Sequence, residues 1–256
     1  MNIAVVLCAG SGKRMGMPTP KQFLTLAGHP VISYSLRAFE DSEKIDKIVC
    51  AVGFSDVDGK SQSDIVKCIA KEYHIDKLSQ DDIVLGGKTR QETVFNALEH
   101  ISSFAGDDDI VAIHDGVRAL ITKDDVDKLI GEMHDYECVT FAKRTTSTLA
   151  KTSSDLNIED YVKRDTIYEL QTPQCFRFST IFDCHMRLLE LKFCSLDDIV
   201  EDVLIGFSEI TDDTGVVKIF GNKVKIVENE NPNFKLTDKS DIHIFELLLK
   251  EKQNEI

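Results

Sequence analysis

Asn2-Ile3-Ala4-Val5-Val6-Leu7-Cys8 runs straight into Ala9-Gly10-Ser11-Gly12-Lys13-Arg14-Met15-Gly16, and the stretch closes on Pro20-Lys21-Gln22-Phe23-Leu24. The apolar run is too short and too poor in basic residues for a signal peptide, and reads as a buried strand over 3–8. A loop that follows such a strand lies at the carboxyl edge of an open α/β sheet, where these sheets bind ligands. Glycines let the backbone approach a phosphate and aim N–H groups at it. Lys13, Arg14 and Lys21 add positive charge to the same loop. The loop therefore suits a triphosphate.

Two commoner glycine loops fail on spacing. A Walker A loop requires Lys followed by Ser or Thr, and here Lys13 is followed by Arg14. A dinucleotide fingerprint puts its third glycine where Met15 stands, with Gly16 one residue late.

Outward from this stretch, strand-like and helical segments alternate. Helices are expected over 30–40, 63–73, 90–101 and 123–134, and strands over 47–52, 83–85 and 110–114. Strands separated by helices imply βαβ units, hence an α/β fold whose mostly parallel sheet has helices on both faces. The alternation breaks at Cys138. A strand is expected over 138–143, a polar, turn-rich stretch over 147–160 and extended chain over 161–174, together an excursion that projects from the sheet. Helices are expected over 179–191 and 196–205, a strand over 223–227 and a closing helix over 240–250. No linker divides the chain, so 1–256 reads as one domain with an arm at about 138–174.

Composition narrows the function classes. A net charge of −14 argues against a nucleic-acid partner, and no apolar run is long enough to span a membrane. The seven cysteines include no Cys-x-x-Cys pair, which argues against zinc or a disulfide frame and fits a reducing cytoplasm. Cys8, Cys50 and Cys138 sit in apolar runs and read as core. An acidic protein that binds an anion must gather its cations locally, which directs attention to basic residues set among glycines.

The glycine loop with its Pro-Lys-Gln closure resembles the signature of the 2-C-methyl-D-erythritol 4-phosphate cytidylyltransferases, which ribitol-5-phosphate cytidylyltransferases share closely. Five further segments match in order: Gly86-Gly87-Lys88-Thr89-Arg90-Gln91-Glu92-Thr93-Val94, His114-Asp115-Gly116-Val117-Arg118, Gln171-Thr172-Pro173-Gln174, Thr211-Asp212-Asp213 and Asn233-Phe234-Lys235-Leu236-Thr237. The resemblance implies a Rossmann-like nucleotidyltransferase fold, a homodimer formed by arm exchange, and CTP, Mg²⁺ and a small polyol phosphate as ligands. It implies Arg14 and Lys21 as catalytic cations, with Ala9, Gly10, Ser11, Gly12 and Lys13 lining the triphosphate. Gly87, Arg90 and Thr93 resemble the base-recognition segment, although Arg90 has the alternative of bracing the loop. Lys88-Thr89 with Glu92 also partly resembles a capping box. Asp115 is expected to hold Mg²⁺ or a ribose hydroxyl, and His114 to be a packed histidine. Thr148, Arg164, Thr172, Thr211 and Lys235 resemble the acceptor-binding set, and Arg118 is expected to meet the acceptor or the partner's arm.

The departures fall on the acceptor side. Gly116 stands where the family usually has alanine, Ala119 where it has proline, and Ser147 where it has aspartate. The segment 194–210 looks longer than usual and carries five acidic residues. These leave two acceptors in play, methylerythritol phosphate, favoured by Thr211-Asp212-Asp213-Thr214-Gly215-Val216-Val217, and ribitol phosphate. A non-catalytic homologue ranks low because Arg14 and Lys21 are both present.

Overall fold

A computed structural model describes residues 1–10, 12, 15–193 and 210–254; Ser11, Lys13, Arg14 and the helix expected over 196–205 lie outside them. The opening apolar run is strand β1 (Asn2–Cys8), and the alternation follows as expected. Next come β2 (Thr25–Leu26), β3 (His29–Pro30), α1 (Val31–Asp41), β4 (Lys47–Val52), α2 (Gln62–Glu72), β5 (Ile83–Leu85), α3 (Arg90–Ile101), β6 (Ile110–Asp115) and α4 (Lys123–Glu132). After them run β7 (Cys138–Arg144), β8 (Ala150–Thr152), β9 (Ile158–Tyr161), β10 (Tyr168–Arg177), α5 (Phe178–Phe193), α6 (Asp213–Ile219), β11 (Lys225–Glu228) and α7 (Lys239–Asn254).

The main sheet has seven strands in the order β5-β4-β1-β6-β10-β7-β11. Strand β1 pairs in parallel with β4 and β6, so that Ala4 faces Ile48 on one side and Ala112 on the other. Side chains on a strand alternate between faces. Accordingly Ala4, Val6 and Cys8 pack with Ile32, Leu36 and Phe39 of α1, Val66 of α2 and Leu129 of α4. Ile3 and Val5 pack on the opposite face with Val94, Leu98 and Ile101 of α3 and Ile181 of α5. Each such fully buried Ile, Val or Leu contributes about 1.5–3 kcal/mol. Helices thus cover both faces, and the strand ends at the carboxyl edge are left for loops. Cys8, Cys50 and Cys138 are buried in these two cores, as their apolar surroundings imply.

The excursion is rooted deeper than its sequence suggests. Strand β10 lies between β6 and β7 and is antiparallel to both, because a chain that leaves along β7 and turns back must return in the opposite direction. The first five residues of β7 and Gln171–Phe176 of β10 are buried in the main sheet. What projects is 145–167, including the β8–β9 hairpin, which is exposed at every strand residue. The expected arm therefore includes two strands that serve the core. Helix α6 was not legible in the sequence: it has seven residues, and its N-cap Asp212 accepts from the Gly215 amide.

Candidate active site

The carboxyl ends of β1, β4, β5 and β6 surround a cleft of about 580 Å³. Ala9, Gly10, Gly12 and Lys21 line one side of it. Gln22, 1 % exposed, donates from Nε2 to the carbonyls of Cys8 (2.7 Å) and Gly10 (3.0 Å), which ties the loop to the strand it leaves. Gly12 adopts φ +61°, a left-handed conformation that favours glycine. Lys21 Nζ donates to the Leu236 carbonyl at 3.0 Å, joining the loop to the C-terminal motif.

The β5 side is a braced turn. Thr89 caps α3 by accepting from the Glu92 amide, and the Glu92 carboxylate accepts from the Lys88 amide at 2.8 Å. The capping-box reading of this segment is thus nearly right, with the return bond shifted one residue outward. Thr93 Oγ1 accepts from the Gly87 amide (3.0 Å) and donates to the Thr89 carbonyl (2.8 Å). A Cβ on Gly87 would sit 2.2 Å from Glu92 Cβ, and one on Gly86 would sit 2.7 Å from Ala9 Cβ. Only glycine lets this turn close against both the helix and the neighbouring loop. Gly87, Thr93 and Arg90 all line the cleft.

A wall of buried charge separates this cleft from a second one of about 380 Å³. Arg90, Asp115 and Lys235 line both clefts, whereas Arg118, Thr172 and Thr211 line only the smaller. Asp115 Oδ2 lies 2.8 Å from Lys235 Nζ, and its Oδ1 lies 3.6 Å from Arg90 Nε. Burial alone would raise the Asp115 pKa, but Lys235 and Arg90 outweigh it and hold the carboxyl well below the usual range. Arg90 also reaches Asp213 at the start of α6, its Nη2 donating to Oδ2 at 2.7 Å. Asp213 is fully buried and lies 3.5 Å from His185 Nε2. Burial would raise its pKa too, and the Arg90 charge turns the shift downward. Arg118 donates to the Asn233 carbonyl at 2.7 Å.

The remaining expected residues divide. Thr172 is 3 % exposed, and its hydroxyl accepts from the Asp115 amide (3.0 Å) and bonds His114 Nδ1 (3.1 Å), so it positions Asp115 from the rim of the smaller cleft. His114 is buried against Phe39, and burial pushes its pKa down to about 3, which makes it a packed neutral ring. Thr148 and Arg164 are exposed on the arm and line neither cleft of their own chain. Gln22, Gln174 and Asp213 belong to the site as well, although their motifs carry no local sign of a role. Gln174 accepts from the amides of Asp213 and Thr214 and donates to Asp212, which fixes α6 to the end of β10. Such clamps join residues far apart in the chain and leave no local pattern to read. Among the described residues no group of three His, Cys, Asp or Glu could hold a metal ion, and no helix is long and apolar enough to cross a membrane.

A glycine-lined cleft with Lys21, Lys88, Arg90 and Lys235, beside a smaller one with Arg90, Arg118 and Lys235, at the carboxyl edge of a sheet of this topology, is the arrangement of a nucleotidyltransferase. The family model of IspD, 2-C-methyl-D-erythritol 4-phosphate cytidylyltransferase, matches residues 2–251. The chain is 33 % identical to the protein of that name from Clostridium novyi, over 97 % of this chain and 96 % of the relative. It is equally similar, at 33 % and the same two coverages, to the one from Clostridium kluyveri. The solved structure of 4-diphosphocytidyl-2C-methyl-D-erythritol synthase from Anaerococcus prevotii superposes with a TM-score of 0.76 at 25 % identity, covering 97 % of this chain and 96 % of that one. The chain belongs to the 2-C-methyl-D-erythritol 4-phosphate cytidylyltransferase family.

Proposed function

We infer that the protein transfers CMP from CTP to 2-C-methyl-D-erythritol 4-phosphate and releases pyrophosphate, a step of isoprenoid precursor synthesis. The observation that carries this reading is the shared wall. Arg90, Asp115 and Lys235 line both clefts, so a nucleotide in the larger and a phosphate ester in the smaller meet there. An acceptor phosphate oxygen attacks the α-phosphorus, a new P–O bond forms, and the bond to the bridging oxygen of pyrophosphate breaks. A phosphate monoester is already largely ionised near pH 7, so no general base is required. The work left to the protein is alignment of two anions and neutralisation of the developing charge. Lys21, Lys88, Arg90, Arg118 and Lys235 bring five cations to the two clefts of a chain whose net charge is −14. Arg90 Nη1 and Arg118 Nε are buried with no hydrogen-bond partner among the described residues, and phosphate oxygens would satisfy such donors. Arg14, whose motif flanks the same loop, completes the set.

Mg²⁺ fits this reading, because it binds through one or two carboxylates plus phosphate oxygens, and Asp115 offers an ionised carboxylate at both clefts. When bound it neutralises charge on the triphosphate. A homodimer in the cytoplasm completes the proposal. The β8–β9 hairpin exposes Leu156, Ile158 and Tyr161, and an isolated two-stranded hairpin is marginally stable in water, so a second copy is the natural cover for it. Six described cysteines are all free, which suits a reducing compartment.

The test is pyrophosphate release from CTP with each of two acceptors. Turnover with 2-C-methyl-D-erythritol 4-phosphate and none with ribitol 5-phosphate is expected. Preference for ribitol 5-phosphate would overturn the acceptor, and full turnover in excess chelator would overturn the role of Mg²⁺.

A further inference from the structure

Phe54 follows Gly53 at the carboxyl end of β4. The residue is 66 % exposed, and it lines the larger cleft. An exposed phenylalanine alone means little, but this one is held in place from both sides. Gln62, the first residue of α2, is 3 % exposed and spends its amide on the two neighbours of Phe54. Its Oε1 accepts from the Gly53 amide at 3.0 Å, and its Nε2 donates to the Ser55 carbonyl and hydroxyl, each at 3.0 Å. A Cβ on Gly53 would come 2.9 Å from Gln62 Nε2 and 3.3 Å from the Ala9 carbonyl, so glycine lets the loop close on both. A buried amide is thus committed to presenting an apolar ring to water beside a binding cleft.

Strand β4 lies between β1 and β5, which places Phe54 between the Ala9-Gly10 loop and the Gly86-Gly87 turn. Lys21, Asp115 and Lys235 belong to the opposite side of the cleft, towards β6. Lys88 and Arg90 flank the Gly87 turn, Arg90 already ion-paired with Asp213 and Asp115, so the phosphates of a nucleotide go to Lys21 and Lys235. Its base is then left at the β4–β5 end, among Gly53, Phe54, Gly87 and Thr93. A planar base covers an aromatic ring without needing matched hydrogen bonds.

We propose that Phe54 is the stacking surface for the pyrimidine base of CTP and sets the affinity of the protein for nucleotide over bare polyphosphate. The proposal rests on the nucleotide part of the function given above. In binding calorimetry on the full chain, Phe54→Ala weakens CTP about 10-fold and leaves inorganic tripolyphosphate within about two-fold of wild type. In turnover the loss falls on KM for CTP and not on KM for the acceptor. Because the residue is two-thirds exposed, removal of its ring leaves the core intact, and thermal unfolding checks this. The chain has no tryptophan, so Phe54→Trp introduces a single tryptophan whose emission shifts on adding CTP and stays constant on adding tripolyphosphate. CTP affinity in Phe54→Ala within about two-fold of wild type, or an equal loss for both ligands, overturns the proposal. Failure of the wild type to bind CTP overturns it as well, whereas CTP binding without transfer to an acceptor overturns only the assigned reaction.

Discussion

The wall between the clefts and the arm both carry residues expected to meet the acceptor, and they hold them in opposite ways. In the wall, Arg90, Asp115, Asp213 and Lys235 arrive from four separate segments, and each charge has its counter-charge within one chain. On the arm, Thr148 and Arg164 are exposed, and Arg164 has no ion pair among the described residues. A charge taken out of water must be paired, so the wall's charges are matched before any ligand arrives. A charge left in water carries no such requirement and is available to a partner. The difference separates what one chain can build from what two copies of it must build.

The sharpest way to break the wall is to remove its deepest carboxylate. Asp213→Ala leaves Arg90 with one counter-charge fewer, and loss of one partner from a buried pair costs about 3–5 kcal/mol. Urea unfolding measures it, and a loss under about 1 kcal/mol would mean that Asp115 alone satisfies Arg90.

Cleft and arm are compared directly by mixing chains. Lys21→Ala removes a cation from the cleft and lowers turnover about 100-fold or more while the fold persists. Arg164→Ala, on the arm, is also nearly inactive if the arm completes a neighbouring site. In a random mixture of the two variants about half the dimers are mixed, each with one intact site, so about a quarter of wild-type turnover returns. Mixed dimers that form and stay inactive would place Arg164 in its own chain's site.

His114, next to Asp115 in β6, gives the stability a pH dependence. Burial pushes the His114 pKa down to about 3, below its ordinary 6.5, so the unfolded chain takes the proton first. Stability from this group is therefore complete above about pH 6.5 and falls by about 1.4 kcal/mol per pH unit until about pH 3. Asp115, also shifted down, loses its contribution in the same direction at lower pH. In His114→Gln, urea midpoints between pH 7 and pH 5 should vary less than in wild type; an unchanged slope would remove His114 as the source.

The smallest expected effect lies at the rim. Thr89→Ala deletes the N-cap of α3 and costs about 1 kcal/mol. Because the cap also shapes the turn at Gly87, KM for CTP should rise with it while KM for the acceptor, which meets the other cleft, stays the same. An equal rise in both would mean that the two clefts are coupled through Arg90.

By itself the sequence determined the alternation of strands and helices, the glycine loop at the end of β1, and the rough extent of the excursion. These are written in local periods and in short runs of special residues, which chemistry reads without knowing the neighbours. The glycine at Gly87 and the cap at Thr89 belong to the same class, since their partners lie within six residues. Tertiary structure alone decided that β10 returns between β6 and β7, that Gln174 pins α6, and that Gln62 holds the loop around Phe54. It also decided that Lys235 meets Asp115 across 120 positions of chain and Arg90 meets Asp213 across 123. Such contacts depend on how packed layers bring distant segments together, and a side chain carries no local sign of the partner that packing will bring to it.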